Sequence, residues 1–424
     1  MVALALELQR RGHVPVIATS EYYGEKITSS GVAFHAIRPN LTPDDKDLLR
    51  AVMDERGGPE HVIRRLMVPA VREMYADLMD AVRGADLLLS AELVFAADTV
   101  ADMTRIPWAV ATLAPLSFMS RHDPPILIQA PWLARIADFS KPLYASLVRL
   151  SQWGIRHWTE PVRQMRRDLG LTAGPGGIFG PREKASAILA MFSPLVGAPQ
   201  PDWPAHARVT GFVFYDRHEP MPAALQAFLD ADEPPVVFTL GSAAVFDPGE
   251  FYRASAAAAR SIGRRAVLLV GPDAPSAPPP DHQIAVAPYA PFSELFPRAA
   301  AIVHQAGIGT TAQALRAGKP MLIVPFSHDQ PDNAARMVRL GVAKVIGRRH
   351  YSAATAMEAL RGLLDDGAYR ERGAAAAAQI ERENGAATAA SVIEKVLREG
   401  YQDSRTTSTL TGGPGAQENW VRKK

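Results

Sequence analysis

The sequence predicts an α/β protein of two doubly wound parallel-sheet domains. Three observations carry this. From residue 236 to residue 324, short apolar runs alternate with helix-period segments, the pattern of βα units joined into a parallel sheet. The 424 residues exceed one ordinary core, so two domains are expected. A Pro-rich stretch at 194–204, PLVGAPQPDWP, separates two alternating halves and reads as the hinge.

In order along the chain, 1–12 reads as an amphipathic helix closed by Gly12, and HVPVIAT at 13–19 as the strand that follows. A short strand is expected at 33–37 and a long helix over 59–82. Strand-like runs at 87–90 and 108–112 are separated by a helix near 95–103. Helical segments carrying Trp132, Trp153 and Trp158 fill 120–170, and 187–191 is the last strand of the first half. The second half places strands at 236–240, 266–270, 284–287, 301–303 and 321–324, with helices between. An Ala-rich helical stretch runs to about Glu399, and the Ser/Thr/Gly-rich residues 406–424 read as disordered. The resulting division is 1–200, 201–400 and a tail at 401–424. No internal repeat is evident.

Composition removes several function classes. There is no cysteine, which excludes disulfides, thiolate metal sites and a Cys nucleophile. The net charge is +2 with basic residues scattered, unlike a nucleic-acid footprint. No apolar run reaches the roughly 18 residues of a membrane span, and 1–11 ends in charge without a cleavage site. A soluble, cytoplasmic protein is the expectation.

The chemistry concentrates in 289–330, YAPFSELFPRAAAIVHQAGIGTTAQALRAGKPMLIVPFSHDQ. An apolar strand at 301–303 opens into His304-Gln305-Ala306-Gly307-Ile308-Gly309-Thr310-Thr311 and then a helix. Such a turn aims free backbone N–H groups and a positive helix end at an anion. It carries neither the G-K-[ST] of a P-loop nor the G-x-G-x-x-G of a dinucleotide site. A second strand at 321–324 delivers Ser327, His328, Asp329 and Gln330, a knot of hydrogen-bonding groups. A phosphate cradle beside such a knot suits a nucleotide sugar.

This stretch resembles the donor-binding signature of the family 1 glycosyltransferases, which include plant flavonoid and sterol enzymes and bacterial macrolide and rhamnolipid enzymes. VVFTLGS at 236–242 resembles the opening of their donor domain, and 192–214 the interdomain connection of sterol-type members. About two hundred residues match specifically and the remainder in layout. The resemblance implies the GT-B architecture, two Rossmann-like domains facing across a cleft, with 1–200 binding the acceptor and 201–400 the donor. It implies that Tyr289 stacks on the base and that the backbone of Ala290 meets the base edge. Gly241, Ser242, Gly307, Gly309 and Thr310 would hold the diphosphate. Bacterial members often read His-His-Gly-Gly where this chain has His304-Gln305-Ala306-Gly307, so the second His has become Gln and the first Gly Ala. A Gln amide still donates to a phosphate oxygen, without charge assistance. Gln313 stands where many members grip the ribose with Glu. Asp329 and Gln330 match the pair that bonds hexose hydroxyls, Asn333 supports them, and His328 is unassigned. An ordinary helix cap is the competing reading of Asp329.

The resemblance further implies that a strand and the loop bearing the catalytic base precede Met1, leaving the base unassigned within these residues. Glu92, near an Asp that orients the base in plant members, is the candidate inside the chain. The stretch 121–158 reads as helices packed on the sheet, as the lining of an apolar acceptor pocket, or as a peripheral membrane contact. The expected activity is inverting transfer of a hexose or deoxyhexose from a UDP- or dTDP-sugar to a hydroxyl of a small apolar acceptor such as a phenol, sterol or lipid. No metal or other cofactor is expected. A sugar-nucleotide epimerase of the same architecture and a catalytically impaired donor-binding protein are the alternatives.

Overall fold

The computed structural model describes residues 1–42, 45–174, 181–216, 219–241, 244–272 and 277–410. Its strands are β1 (Val16–Thr19), β2 (Ala33–Ala36), β3 (Leu88–Ala91), β4 (Trp108–Thr112), β5 (Ala187–Ala190), β6 (Ala207–Val209), β7 (Val236–Thr239), β8 (Ala266–Leu269), β9 (Ile284–Ala287), β10 (Ala301–His304), β11 (Met321–Ile323) and β12 (Ala343–Val345). Each described pairing is parallel. Parallel neighbours need a crossover, so helices are laid over both faces. That double cover is why β7, β8 and β10 are buried along their whole length and read as unbroken apolar runs.

The sheet of the second half has the order β12-β11-β10-β7-β8-β9. The chain lays β8 and β9 to one side of β7, then returns to add β10, β11 and β12 on the other. At this reversal the loops leaving the carboxyl ends of β7 and β10 diverge and open a crevice, the favoured ligand site of such sheets. The register brings the two ends level, with Val303 opposite Phe238.

In the first half the order is β3-β4-β5-β6, and β1 pairs with β2 in a separate two-stranded sheet. The N-terminal helix Val2–Arg10 inserts Leu4 into a cluster with Ala111 of β4, Leu189 of β5 and Ile393. Ile393 belongs to the helix Gly385–Leu410, which returns from the second half to cover the first sheet. The outgoing and returning chain segments meet. A β-carbon on Gly385 would lie 2.3 Å from the Phe212 carbonyl oxygen, and one on Gly211 3.0 Å from the Glu383 carboxylate. Ser193 Oγ donates to Glu383 at 2.7 Å and ties the returning segment to the first domain.

Several sequence expectations change. The stretch 194–204 is not the crossing, because β6 follows it and pairs with β5; Trp203 stacks on Phe118 at 3.8 Å. The crossing begins beyond Val209. β6 and β12 escape the sequence pattern because each has three residues and carries a cation, Arg208 or Lys344. The helix expected over 59–82 is broken into Gly58–His61, a wide turn at Val62–Met67 and Val71–Ala81. Pro69 supplies no N–H to continue the ladder. Residues 401–410 of the expected tail continue the final helix, since no helix breaker intervenes before Gly412-Gly413-Pro414; 411–424 lie outside the described residues. Among the described residues no helix is long and apolar enough to cross a membrane.

Candidate functional site

The crevice between β7 and β10 is floored by glycine for a steric reason. Gly241 follows β7 with φ +66, and a β-carbon there would stand 2.2 Å from Gln305 Nε2. A β-carbon on Gly307 would stand 2.8 Å from the same nitrogen. The Gln305 side chain is therefore laid between the two loops, and a β-carbon at either glycine would make it shift. Ser242 lies outside the described residues.

Helix Ile308–Arg316 starts at this point. Its first intrahelical bond runs from Thr311 N–H to the Gly307 carbonyl at 2.9 Å, and Thr311 Oγ1 donates to the same carbonyl at 3.1 Å. The N–H groups of Ile308, Gly309 and Thr310 are left at the positive helix end. Gly309 is exposed and Thr310 buried. Ala306, where the family pattern has Gly, keeps the left-handed backbone at φ +69 that favours Gly. The turn therefore survives at some cost in strain.

His304 ends β10 with no exposed surface, and burial lowers its pKa to about 3. Ala306 N–H donates to its Nδ1 at 3.1 Å, which puts the proton of the neutral ring on Nε2. That buried Nε2 has no partner, nor have Gln305 Oε1 and Asn333 Oδ1. Buried polar atoms without partners are rare in folded chains. His304 and Gln305 of the turn and Asn333 of the neighbouring helix bring three such atoms to one region, which makes it the candidate for a polar ligand.

Asp329 is not a side-chain cap in this fold. It occupies the N-terminal position of helix Gln330–Leu340, yet its side chain makes no capping bond. It accepts instead from Asn333 Nδ2 at 2.7 Å, and the same nitrogen donates to the Ala306 carbonyl at 2.9 Å. Asn333 thus ties Asp329 to the turn after β10. Burial pushes the Asp329 carboxyl up to about 6, opposed by the Asn333 bond and reinforced by the like charges of Asp332 and Glu92. Gln330 accepts from Phe326 N–H at 2.8 Å and Ser327 N–H at 3.2 Å through Oε1, which fixes its amide in the crevice wall.

Tyr289 stands beyond β9 with half its surface exposed, its ring 6.4 Å from Phe292, and Ala290 beside it is fully buried. An exposed aromatic at the carboxyl edge of the sheet is placed to stack on a flat ring. Gln313 is placed otherwise than expected. Its Nε2 donates to Asp216 at 3.1 Å, its Oε1 accepts from Arg316 at 2.7 Å, and Arg316 pairs with Asp216 at 2.7 Å. Both ends of the amide are committed within the donor domain, which leaves little for a ribose.

Across the cleft, Glu92 follows β3. It accepts from Thr112 Oγ1 at 3.0 Å and Ser117 Oγ at 2.6 Å, and pairs with Arg182 at 2.6 Å. Three donors on one carboxylate suit an anchor better than a base. Sequence reasoning missed the contacts between the halves. Met53 is buried in the cluster containing Phe238 and Phe326, Ser327 Oγ donates to the Asp54 carbonyl at 2.8 Å, and His328 Nε2 lies 2.9 Å from the Val52 carbonyl. It also missed Arg336, whose i,i+4 spacing from Asp332 was the available signal. Among the described residues no group of three His, Asp or Glu side chains is gathered as a metal site.

Proteins similar in sequence and fold are glycosyltransferases. Residues 272–397 match the family model of the erythromycin biosynthesis protein CIII-like C-terminal domain. The chain is 31% identical to the O-mycaminosyltylonolide 6-deoxyallosyltransferase of Streptomyces fradiae, covering 97% of this chain and 96% of that one. It is 27% identical to a sterol 3-beta-glucosyltransferase of Arabidopsis thaliana, covering 86% of this chain and 58% of the other. Among solved structures, the spinosyn forosaminyltransferase superposes with a TM-score of 0.67 at 18% identity, over 94% and 95% of the two chains. The spinosyn rhamnosyltransferase complexed with thymidine diphosphate gives 0.65 at 17%, over 93% and 95%. The GT-B fold and the relative that is 31% identical over nearly the whole of both chains establish that the chain belongs to the family 1 glycosyltransferases.

Proposed function

We propose that this glycosyltransferase moves a hexose or deoxyhexose from a UDP- or dTDP-sugar to a hydroxyl of a small apolar acceptor, with inversion at the anomeric carbon. The observation that carries the reading is the turn at the β7/β10 reversal. Three unpartnered buried polar atoms, a positive helix end and an uncapping Asp329 are held together by Asn333. The diphosphate would lie at Ile308–Thr310 and Gly241, the sugar against Asp329 and Gln330, and the base against Tyr289. The acceptor oxygen attacks the anomeric carbon as its proton passes to a base; the bond to the β-phosphate oxygen breaks and the nucleoside diphosphate departs. Its charge would be met by the helix end and backbone N–H groups, with no metal required. The deoxysugar transferase named above and the rhamnosyltransferase bound to thymidine diphosphate favour a dTDP-deoxysugar; the sterol enzyme favours a polycyclic acceptor.

Titration calorimetry with UDP and dTDP tests the donor assignment. One of them is expected to bind with a stoichiometry of one, and folded protein that binds neither would overturn it. Incubation with UDP- and dTDP-sugars and a panel of macrolide, phenolic and sterol acceptors, read by mass, tests the transfer.

A further inference from the structure

The deepest contact between the two halves is ionic. Arg336, on the donor helix Gln330–Leu340, is 1% exposed and reaches three groups. Its Nε donates to Asp332 at 2.8 Å, and its Nη1 pairs with Asp123 of the acceptor half and donates to the Val196 carbonyl at 3.0 Å. Arg339 adds a second cation to Asp123 at 3.0 Å. The other oxygen of Asp332 accepts from Ile126 N–H at 3.0 Å. Residues 123–126 are thus gripped at both ends by one turn of one donor helix. On the far side of the segment, Ser120 Oγ and Arg121 N–H donate to Asp202 at 2.6 and 2.9 Å.

Energetics indicate what such an arrangement is for. Several buried charges cost desolvation that an apolar contact of equal size would not, so stability alone does not explain them. What they provide is direction, because each bond fixes a distance and an angle between the halves. That registration falls beside the chemistry. Asp329 and Gln330 open the helix that carries Asp332 and Arg336, while Ser117, just upstream of the gripped segment, bonds Glu92. Met119 and Leu127 flank the segment as partly buried members of an apolar cluster with Leu133 and Tyr144.

We propose that Asp123 and Arg336 form a positioning latch, which sets the segment 117–127, with its apolar Met119 and Leu127, at a fixed height over the sugar subsite and so aligns the acceptor with the anomeric carbon. The assignment rests on the donor reading given above. Both are positioning residues, acting through the segment and the helix they join.

The test follows the Ile126 amide by hydrogen exchange, with UDP-glucose and dTDP-glucose as probes and the full chain as the protein. In the wild type the bound sugar nucleotide slows exchange at Ile126. In Asp123→Ala exchange there quickens by about tenfold or more, as for one lost charge-assisted hydrogen bond, and no longer responds to donor. Affinity for the bare nucleoside diphosphate stays within about twofold, and Asp123→Glu restores the response. An Ile126 amide indifferent to donor or to Asp123→Ala, while the diphosphate still binds, overturns the latch and leaves the donor reading standing. Diphosphate affinity that falls in step with protection also overturns it, as does failure of both Asp123→Ala and Asp123→Asn to fold; either makes the network a folding element. Wild-type protein that binds neither diphosphate overturns the donor reading and the latch with it.

Discussion

Replacing Asp329 by Asn should make the empty protein more stable and the enzyme worse. Burial lifts this carboxyl from 3.8 to about 6. Two units at 1.36 kcal/mol each bound the destabilisation at about 3 kcal/mol when the group is ionised. The sign follows from proton binding: the native state holds the proton more tightly than the unfolded chain. Stability is therefore greatest below about pH 4, falls as the pH rises to about 6, and stays lower above it. Asn carries no charge at any pH, yet its amide oxygen can still accept from Asn333 Nδ2. Asp329→Asn should thus gain about 1–3 kcal/mol at pH 8 and roughly half as much at pH 5. The same change removes a charged acceptor from the sugar hydroxyls, worth about 1.5–3 kcal/mol, or roughly 10–150-fold in affinity for the intact donor. Affinity for the bare diphosphate should hold, because the phosphate turn keeps its own groups. Thermal unfolding at pH 5 and pH 8, with calorimetry of sugar nucleotide and diphosphate at pH 8, reads all four quantities. A mutant less stable at pH 8, or one that loses both ligands equally, would refute the assignment and return Asp329 to a structural role.

Gly241→Ala should weaken UDP or dTDP binding by more than about tenfold, since the new methyl would displace Gln305 from between the loops and the φ of +66 disfavours any side chain; unchanged calorimetric affinity would sink this account. The His304 ring should stay neutral, so its NMR resonances should not move between pH 5 and pH 8, whereas titration near 6.5 would mean that the ring is solvated. Glu92→Gln should lower stability by about 1–3 kcal/mol by leaving Arg182 without its charge partner, with diphosphate affinity unchanged. A variant that keeps its stability but abolishes transfer would instead make Glu92 the base.

What the sequence revealed depended on how local the cause was. β7, β8 and β10 were readable because double burial writes itself as an unbroken apolar run, and the turn after β10 because glycines and hydroxyls at a strand end have few other uses. Ala306 was readable as a departure, but only the backbone shows that the left-handed turn persists without glycine. Asp329 left two readings that composition could not separate; the absence of a capping bond removes one of them. The partners of Gln313, Asp216 and Arg316, were not legible, because Asp216 stands 97 positions away. Arg336 stood in plain view at i+4 from Asp332, but Asp123 lies 213 positions away, and no periodicity reports such a pairing.

The double crossing at Gly211 and Gly385 bears on how the molecule comes into being. The first sheet is covered by Ala389, Ala390, Ile393 and Val396 of the last helix, so the half made first on the ribosome lacks part of its own core until most of the other half has emerged. At about 5–20 residues per second, some 10–40 s separate the release of β6 from the arrival of its covering helix. During that interval the face of the earlier sheet that Leu189 and Ala111 present lacks its cover. The first sheet is therefore begun early in synthesis and closed late.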